Sequence, residues 1–497
     1  MTVIDSELPA APSSLAATST RSPVHLSSHR GRIACLALGI VLAGLGLRLW
    51  CAQGPLWLDE IWSVENLAPL DRFWQVFWRI SHDNNHFLNS LWLYFAVQFH
   101  ADELALRAPS IVAGVLTVAM AMRLASRHSA AAAMAAAAMT ATSYFFVNYS
   151  VEARGYAGMA LCIAVAFEAL EAAIARPDSR ARLAFAAAGG IGLLCHFAML
   201  PVIALFVAIF AAEQRRRAEN WKFVADATIH FAAPTLAAAT PALAFVLAGV
   251  FVVGRFTIGG VREFDALQAR EAIAEMIRDT LGLSATAPTA LVIAASIAVV
   301  LAALHLRLVM NGRTTAYVVI LLALPLAVFG VRPPNAHIPR YYLVCAFFLV
   351  LLLAEIFGSL WQAGRWSRFA ALVALAAIVS GNVNLLIRYQ KSRETDWTHA
   401  LAEIAASGSH IVGSNFDDRV GKLVAYYDRS HPALDLVPRA DWCATPPQWF
   451  IAEVGGIADA PKDLDLSGGA CRIRFDFVRR YESWGLSKID WALYRAR

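Results

Sequence analysis

Asp59 and Glu60 are adjacent carboxylates in the stretch PLWLDEIWSV, Pro55 to Val64, wrapped in Trp57, Leu58, Ile61 and Trp62. Apolar surroundings shift a carboxyl's proton affinity and suit it to general-base work. Acids at a helix start also complement the helix dipole with no chemistry implied. Successive helix residues point about 100° apart, so the two cannot serve one site equally. One faces a site while the other orients a neighbour or a metal.

Further along, HDNNH offers His82, Asp83 and His86. On a helix these would suit a divalent metal ion. Asn84 and Asn85 read as a turn, and the competing reading is a polar rim to a cavity. Glu152 and Arg154 lie in SVEARGYA, where an apolar run ends. An arginine at such a boundary is costly unless paired or solvated. It is either a staple to Glu152 or a ligand for an oxyanion. Arg107, Arg332, His337 and Arg340 are expected on the same side, and converging cations beside a bilayer suit an anionic lipid head group. A transporter mouth would carry similar residues.

The elements that position these residues are apolar helices. The 497 residues are 58% hydrophobic and 16% charged, against about a quarter charged in ordinary soluble domains. The apolar residues fall in blocks near the ~20 residues a spanning helix needs. The fold class is a polytopic α-helical membrane protein with about eleven crossings. Residues 1–30 read as a disordered cytoplasmic tail and residues 31–390 as the transmembrane domain. The basic residues cluster in alternate loops, at Arg123 and Arg127, Arg176 to Arg182, Arg215 to Arg217, Arg307 and Arg313, and Arg365 and Arg368. The positive-inside rule then places the N-terminus in the cytoplasm. The +5 net charge serves topology, and no basic face with interleaved aromatics points to nucleic acid.

That alternation holds only if residues 52–103, the first outer loop, do not cross. DRFWQVFWRI and HFLNSLWLYFAVQF are therefore expected as juxtamembrane helices. In the outer loop 254–285, FDALQAREAIAEMIRDTL reads as an amphipathic rim or lid. Residues 391–497 alternate strand and helix signals, as a small extracytoplasmic α/β domain would. Cys443 and Cys471 both fall there, and a disulfide between them is one outcome if the compartment is oxidising.

Taken in order, WLDE, the His-bearing segment opening a juxtamembrane helix, LALRAPSIVAGVLTVAMAMRLA and YSVEARGYA resemble the GT-C glycosyltransferases. The nearest branch is the protein O-mannosyltransferase and aminoarabinose transferase class. The resemblance covers Ile33 to about Gly158, then more weakly RYYLVCAFFLVLLLA and the C-terminal domain. It implies an inverting transfer from a polyprenyl-phosphate sugar outside the cytoplasmic membrane. By position, Asp59 matches the catalytic acid, Glu60 a supporting acid, and Glu152 and Arg154 the loop near the donor phosphate. His86 matches the His of the family's His-Pro-Pro-Leu, which here reads His86-Phe87-Leu88-Asn89 without either proline.

The expectation is thus a membrane hexosyl or pentosyl transferase of the cell envelope. Its partners would be a polyprenyl-phosphate-linked sugar and an acceptor lipid, glycan or protein. A divalent metal at His82, Asp83 and His86 stays open. The alternatives are a carrier or flippase for polyprenyl-linked sugars, whose paired broken helices are not evident, and a non-catalytic scaffold.

Overall fold

The computed structural model describes residues 23–80, 82, 84–176, 178–254, 263–306, 312–392, 397–428, 434–454, 460–468, 470–481 and 490–497. The tail expected over residues 1–30 falls mostly outside them, as does Asp83. Seventeen α-helices and one sheet make up the described chain. The first is α1 (Pro23–Cys51), followed by α2 (Leu58–Glu65) and α3 (Phe87–Gln98). Then come α4 (Glu103–Ser126), α5 (Ala130–Thr142), α6 (Tyr144–Ser150), α7 (Tyr156–Ala175), α8 (Ser179–Cys195), α9 (Met199–Arg217) and α10 (Trp221–Val253). The bundle ends with α11 (Ala266–Leu281), α12 (Thr289–His305), α13 (Gly312–Val331), α14 (Leu343–Ala363) and α15 (Arg365–Ser392).

Seven of these helices are long and apolar enough to cross a membrane, or eight with α5 and α6 counted as one bent span. Eleven crossings were expected. The difference is α8 and α12, 17 residues each, and α9, whose last turns carry Glu213 and Arg215 to Arg217. The molecule is polytopic, and the count of eleven is not reached by length and composition. Between α1 and α4 no described helix is long enough to cross. That segment forms α2, a 3₁₀ turn at Phe73–Phe77 and the 12-residue α3.

The 57° bend between α5 and α6 shapes the site. Ala130 to Phe146 reads as one apolar run, but the chain leaves helical geometry at Ser143. A broken helix inside apolar surroundings must satisfy its freed backbone groups. Arg48, fully buried on α1, donates to the carbonyls of Ala141 (3.2 Å) and Thr140 (3.3 Å). On the other side, Asn382 of α15 accepts from the Tyr144 N–H (2.7 Å) and donates to the Thr280 carbonyl (3.2 Å). The bend turns α6 so that its C-terminus runs straight into the VEARGY loop.

Helix α11 packs against α6, α12, α14 and α15 and against the 3₁₀ turn at Pro339–Tyr342. Its Ile273, Ile277 and Leu281 join the bundle core. The apolar stripe read from the sequence is therefore spent on the bundle, and only Leu267 stays exposed.

The C-terminal region adds α16 (Trp397–Ala406) and α17 (Asp417–Asp428) to a six-stranded sheet. Its strands are β1 (Ile411–Ser414), β2 (Asp435–Leu436), β3 (Trp449–Val454), β4 (Asp463–Gly468), β5 (Cys471–Tyr481) and β6 (Asp490–Ala496). The order is β2-β1-β3-β6-β5-β4, parallel across β2, β1 and β3 and antiparallel beyond. Cys443 and Cys471 form a disulfide. Leu401, Ile404 and Leu423 share one buried cluster with Leu58, Ile61 and Val64 of α2. The sheet domain is thus seated on the helix that carries the acid pair.

Candidate active site

Asp59 and Glu60 take different partners, as adjacent helix residues must. Glu60 is fully buried, and so is the Arg107 side chain on α4. Arg107 donates through Nε and Nη2 to the two Glu60 oxygens (2.9 and 2.7 Å). Its remaining donors go to the carbonyls of Ala52 (2.6 Å), Gly54 (2.9 Å) and Pro55 (2.9 Å). All five N–H groups of the guanidinium are engaged, leaving none for a substrate phosphate. Glu60 also accepts from the Ala153 N–H (2.7 Å) and the Trp57 N–H (3.0 Å). Burial alone would raise its carboxyl, but the charge and hydrogen bonds of Arg107 and the two backbone donors outweigh that and hold it below its ordinary value.

Asp59 keeps 22% of its side chain exposed. Two guanidiniums close on its Oδ2, Arg154 from the VEARGY loop and Arg340 (3.2 Å) from the Pro339–Tyr342 turn. Burial would raise this carboxyl too; the charges of Arg154 and then Arg340 override it and keep it below its usual range.

The VEARGY loop is fixed from three sides. Ser110 of α4 donates to the Arg154 carbonyl (2.8 Å), Asn89 of α3 to the Ala153 carbonyl (2.5 Å), and Ala153 donates to Glu60. Gly155 admits no side chain, since a Cβ there would lie 1.8 Å from the Cys195 carbonyl oxygen and 2.8 Å from the His86 Cβ.

Beside Asp59 lies a ring of aromatic and imidazole groups around Tyr156. Arg154 and Arg340 approach its ring at 5.5 and 5.6 Å, close enough for cation–π attraction. His196 lies 4.7 Å and Tyr149 5.3 Å from it, centroid to centroid. His86 stacks on His196 at 6.0 Å. His196 accepts the Ala198 N–H at Nδ1 (3.0 Å), and its Nε2 lies 3.1 Å from the side-chain amide nitrogen of Asn85.

Several buried polar atoms here have no hydrogen-bond partner among the described residues. They are both ring nitrogens of His86, Oε2 of Glu152, Nε of Arg154 and of Arg340, and the hydroxyls of Tyr149 and Tyr156. Such groups are rare in native interiors and ask for an explanation; a polar ligand would supply one. Burial pushes the Glu152 carboxyl up to about 8, with Arg154 opposing and Glu60 adding to the rise, so it is neutral at pH 7. His86 is held well below its ordinary value by burial, and then by the charges of Arg154, His196 and Arg340.

Asp59, Arg154, Arg340, Glu152 and His86 thus gather at one end of the bundle, while Arg107 and Glu60 form a separate sealed pair. His337 is half-buried in the loop leading to Arg340. His82 turns its ring toward Trp62, 5.8 Å away, whereas His86 faces His196. Among the described residues no three His, Cys, Asp or Glu side chains come together to hold a metal. His196, Tyr149 and Asn85 were not singled out from the sequence. His196 carried a usable signal, an ionisable residue at the end of an apolar run.

Residues 90–237 match the dolichyl-phosphate-mannose-protein mannosyltransferase family. The match bears out the resemblance read from the motifs. At the level it supports, the chain is a membrane glycosyltransferase that uses a lipid-linked sugar. The matched segment is under a third of the chain. It contains Arg107, Glu152, Arg154 and His196, and it begins after the acid pair. A comparison with curated proteins returns no match.

Proposed function

We propose that this protein transfers a sugar from a polyprenyl-phosphate donor to an acceptor hydroxyl, with inversion, at the outer face of the cytoplasmic membrane. The observation that carries the reading is a half-open carboxylate, Asp59, between two guanidiniums and a set of buried polar atoms without protein partners. Arg154 and Arg340 leave Asp59 for the donor phosphate, because an oxyanion with more charge and more acceptor oxygens competes well for planar forks. Freed of both cations, Asp59 becomes a stronger base. It takes the proton of the acceptor hydroxyl as that oxygen attacks the anomeric carbon. The bond from that carbon to the phosphate oxygen breaks on the opposite face, and its electron pair leaves with the polyprenyl phosphate. Neutral Glu152 and Tyr156 donate hydrogen bonds to the departing phosphate, and the apolar wall around Asp59 keeps water from competing as acceptor.

The paired Arg123, Arg127 and Arg313 lie at the other end of the bundle with Glu168 and Glu171, and basic residues favour the cytoplasmic side. The disulfide in the sheet domain supports an oxidising compartment for residues 391–497.

The test is transfer in proteoliposomes from a panel of polyprenyl-phosphate sugars, comparing the unaltered protein with Asp59→Asn. Turnover that is lost in the variant, with donor binding retained, is the expected result. Full transfer by the variant would remove Asp59 from the chemistry. Lipid-linked sugar that crosses the bilayer without being transferred would make the protein a carrier.

A further inference from the structure

The sheet domain and the bundle together line an open cleft of about 320 Å³, at the small end of ligand-binding cavities. Trp397, His399, Tyr426 and Tyr427 line it from the sheet domain, and Pro55 and Glu103 from the bundle. Neither half forms it alone. The Trp397 ring is held in place: its Nε1–H donates to the Leu56 carbonyl (3.2 Å), and Trp491 and Tyr426 meet it edge-on, each 6.5 Å away. The Tyr426 hydroxyl reaches Glu103 Oε1 at 3.4 Å.

Rigid aromatic faces beside hydroxyls, an imidazole and a carboxylate suit a ligand with apolar C–H faces and a hydroxylated edge, which is a saccharide. The position fits as well. Leu56 precedes Asp59 by three residues, and α17 packs on α2. The cleft therefore opens beside the helix that carries the proposed base.

We propose that this cleft is an acceptor subsite for a saccharide unit, so that the acceptor is a glycan or a glycan-bearing molecule. The proposal rests on the transferase reading of the Asp59 site and names its acceptor class. The test is saturation-transfer NMR on the full chain in proteoliposomes, with di- and trisaccharides of glucose, galactose, mannose and N-acetylglucosamine as probes. The expected result is a saccharide bound by the unaltered protein and by Asp59→Asn, and about tenfold more weakly by Glu103→Gln and His399→Ala, the loss of one hydrogen bond. Glu103→Gln keeps the shape of its side chain and His399 is exposed, so both variants retain the fold. With an active donor, the same variants raise the acceptor KM and leave the donor KM unchanged. The proposal is overturned if no probe binds, if tetramethylammonium binds and no saccharide does, or if the variants bind as the unaltered protein does. Binding is read without turnover, so failed transfer counts against the transferase reading, and transfer without saccharide binding counts against the subsite.

Discussion

Glu60→Gln is expected to damage the fold around the site before it touches the chemistry. Both partners of the Glu60–Arg107 pair have no exposed side-chain surface. Removing one member of such a pair strands a charge in the interior and costs about 3–5 kcal/mol. At 1.4 kcal/mol per factor of ten, that is roughly a hundred- to a few-thousand-fold shift in the unfolding equilibrium. The amide fails for a specific reason. Glu60 receives four donors, two from Arg107 and one each from Ala153 and Trp57, and an amide nitrogen sets donor against donor at one of its two positions. The measurement is a denaturant titration in mixed micelles, followed by tryptophan fluorescence at several pH values. Because the Glu60 carboxyl is held below its ordinary value, its stabilisation is complete above about pH 4.3. It is lost as pH falls through the folded value, and the Gln variant lacks that dependence. Arg107→Met is expected to cost a similar amount, and the double variant less than the sum of the two, since the sites share one network. An Glu60→Gln protein that unfolds like the unaltered one yet has lost transfer would refute this reasoning and return Glu60 to the chemistry.

Asp59 is held below its usual range only while Arg154 and Arg340 face it. Handing those cations to the donor phosphate raises it, so the acid limb of kcat is expected at higher pH than that of kcat/KM; coincident limbs would refute the exchange. The Glu152 carboxyl, neutral up to about pH 8, becomes an anion beside the donor phosphate above that, so the donor KM is expected to rise there and Glu152→Gln to abolish the rise. The same raised value makes stability fall as pH climbs from the ordinary glutamate value, about 4.3, to about 8, a slope absent from the Gln variant. Replacing Cys443 and Cys471 by serine opens a link across 28 positions. The chain-entropy relation puts its worth at about 3–4 kcal/mol, seen as faster proteolysis within the sheet domain with α2 unaffected.

The helices were legible because span length and loop charge are properties of local sequence. The region between α1 and α4 was read as non-crossing for the same reason, and no described helix there is long enough to cross. The bend at Ser143 was not, because what stabilises it comes from Arg48 and Asn382, far away in the chain. In the sheet domain, the apolar or alternating runs HIVGSN, WFIAEV and WALYRA appear as β1, β3 and β6. Less legible is β4, whose Asp463, Leu464, Asp465 and Leu466 alternate acid and leucine at the sheet edge. Charges protect an edge strand from further pairing and make it read as a loop.

The site was legible as a set of residue types but not as a division of labour. Nothing in WLDE distinguishes its two acids, because the distinction lies in their partners, 47 residues away for Glu60 and 95 for Asp59. The two roles are nevertheless linked through one short loop. Glu60 fixes the Ala153 N–H, and the next residue is Arg154, which covers Asp59. A sealed carboxylate, with every contact made inside the protein, thus sets the position of the cation that covers its open neighbour and, in the proposed reaction, leaves it. An acid pair on one helix turn suits the proposed reaction, since a rigid anchor and the proposed base are held in fixed register without either occupying the other's space.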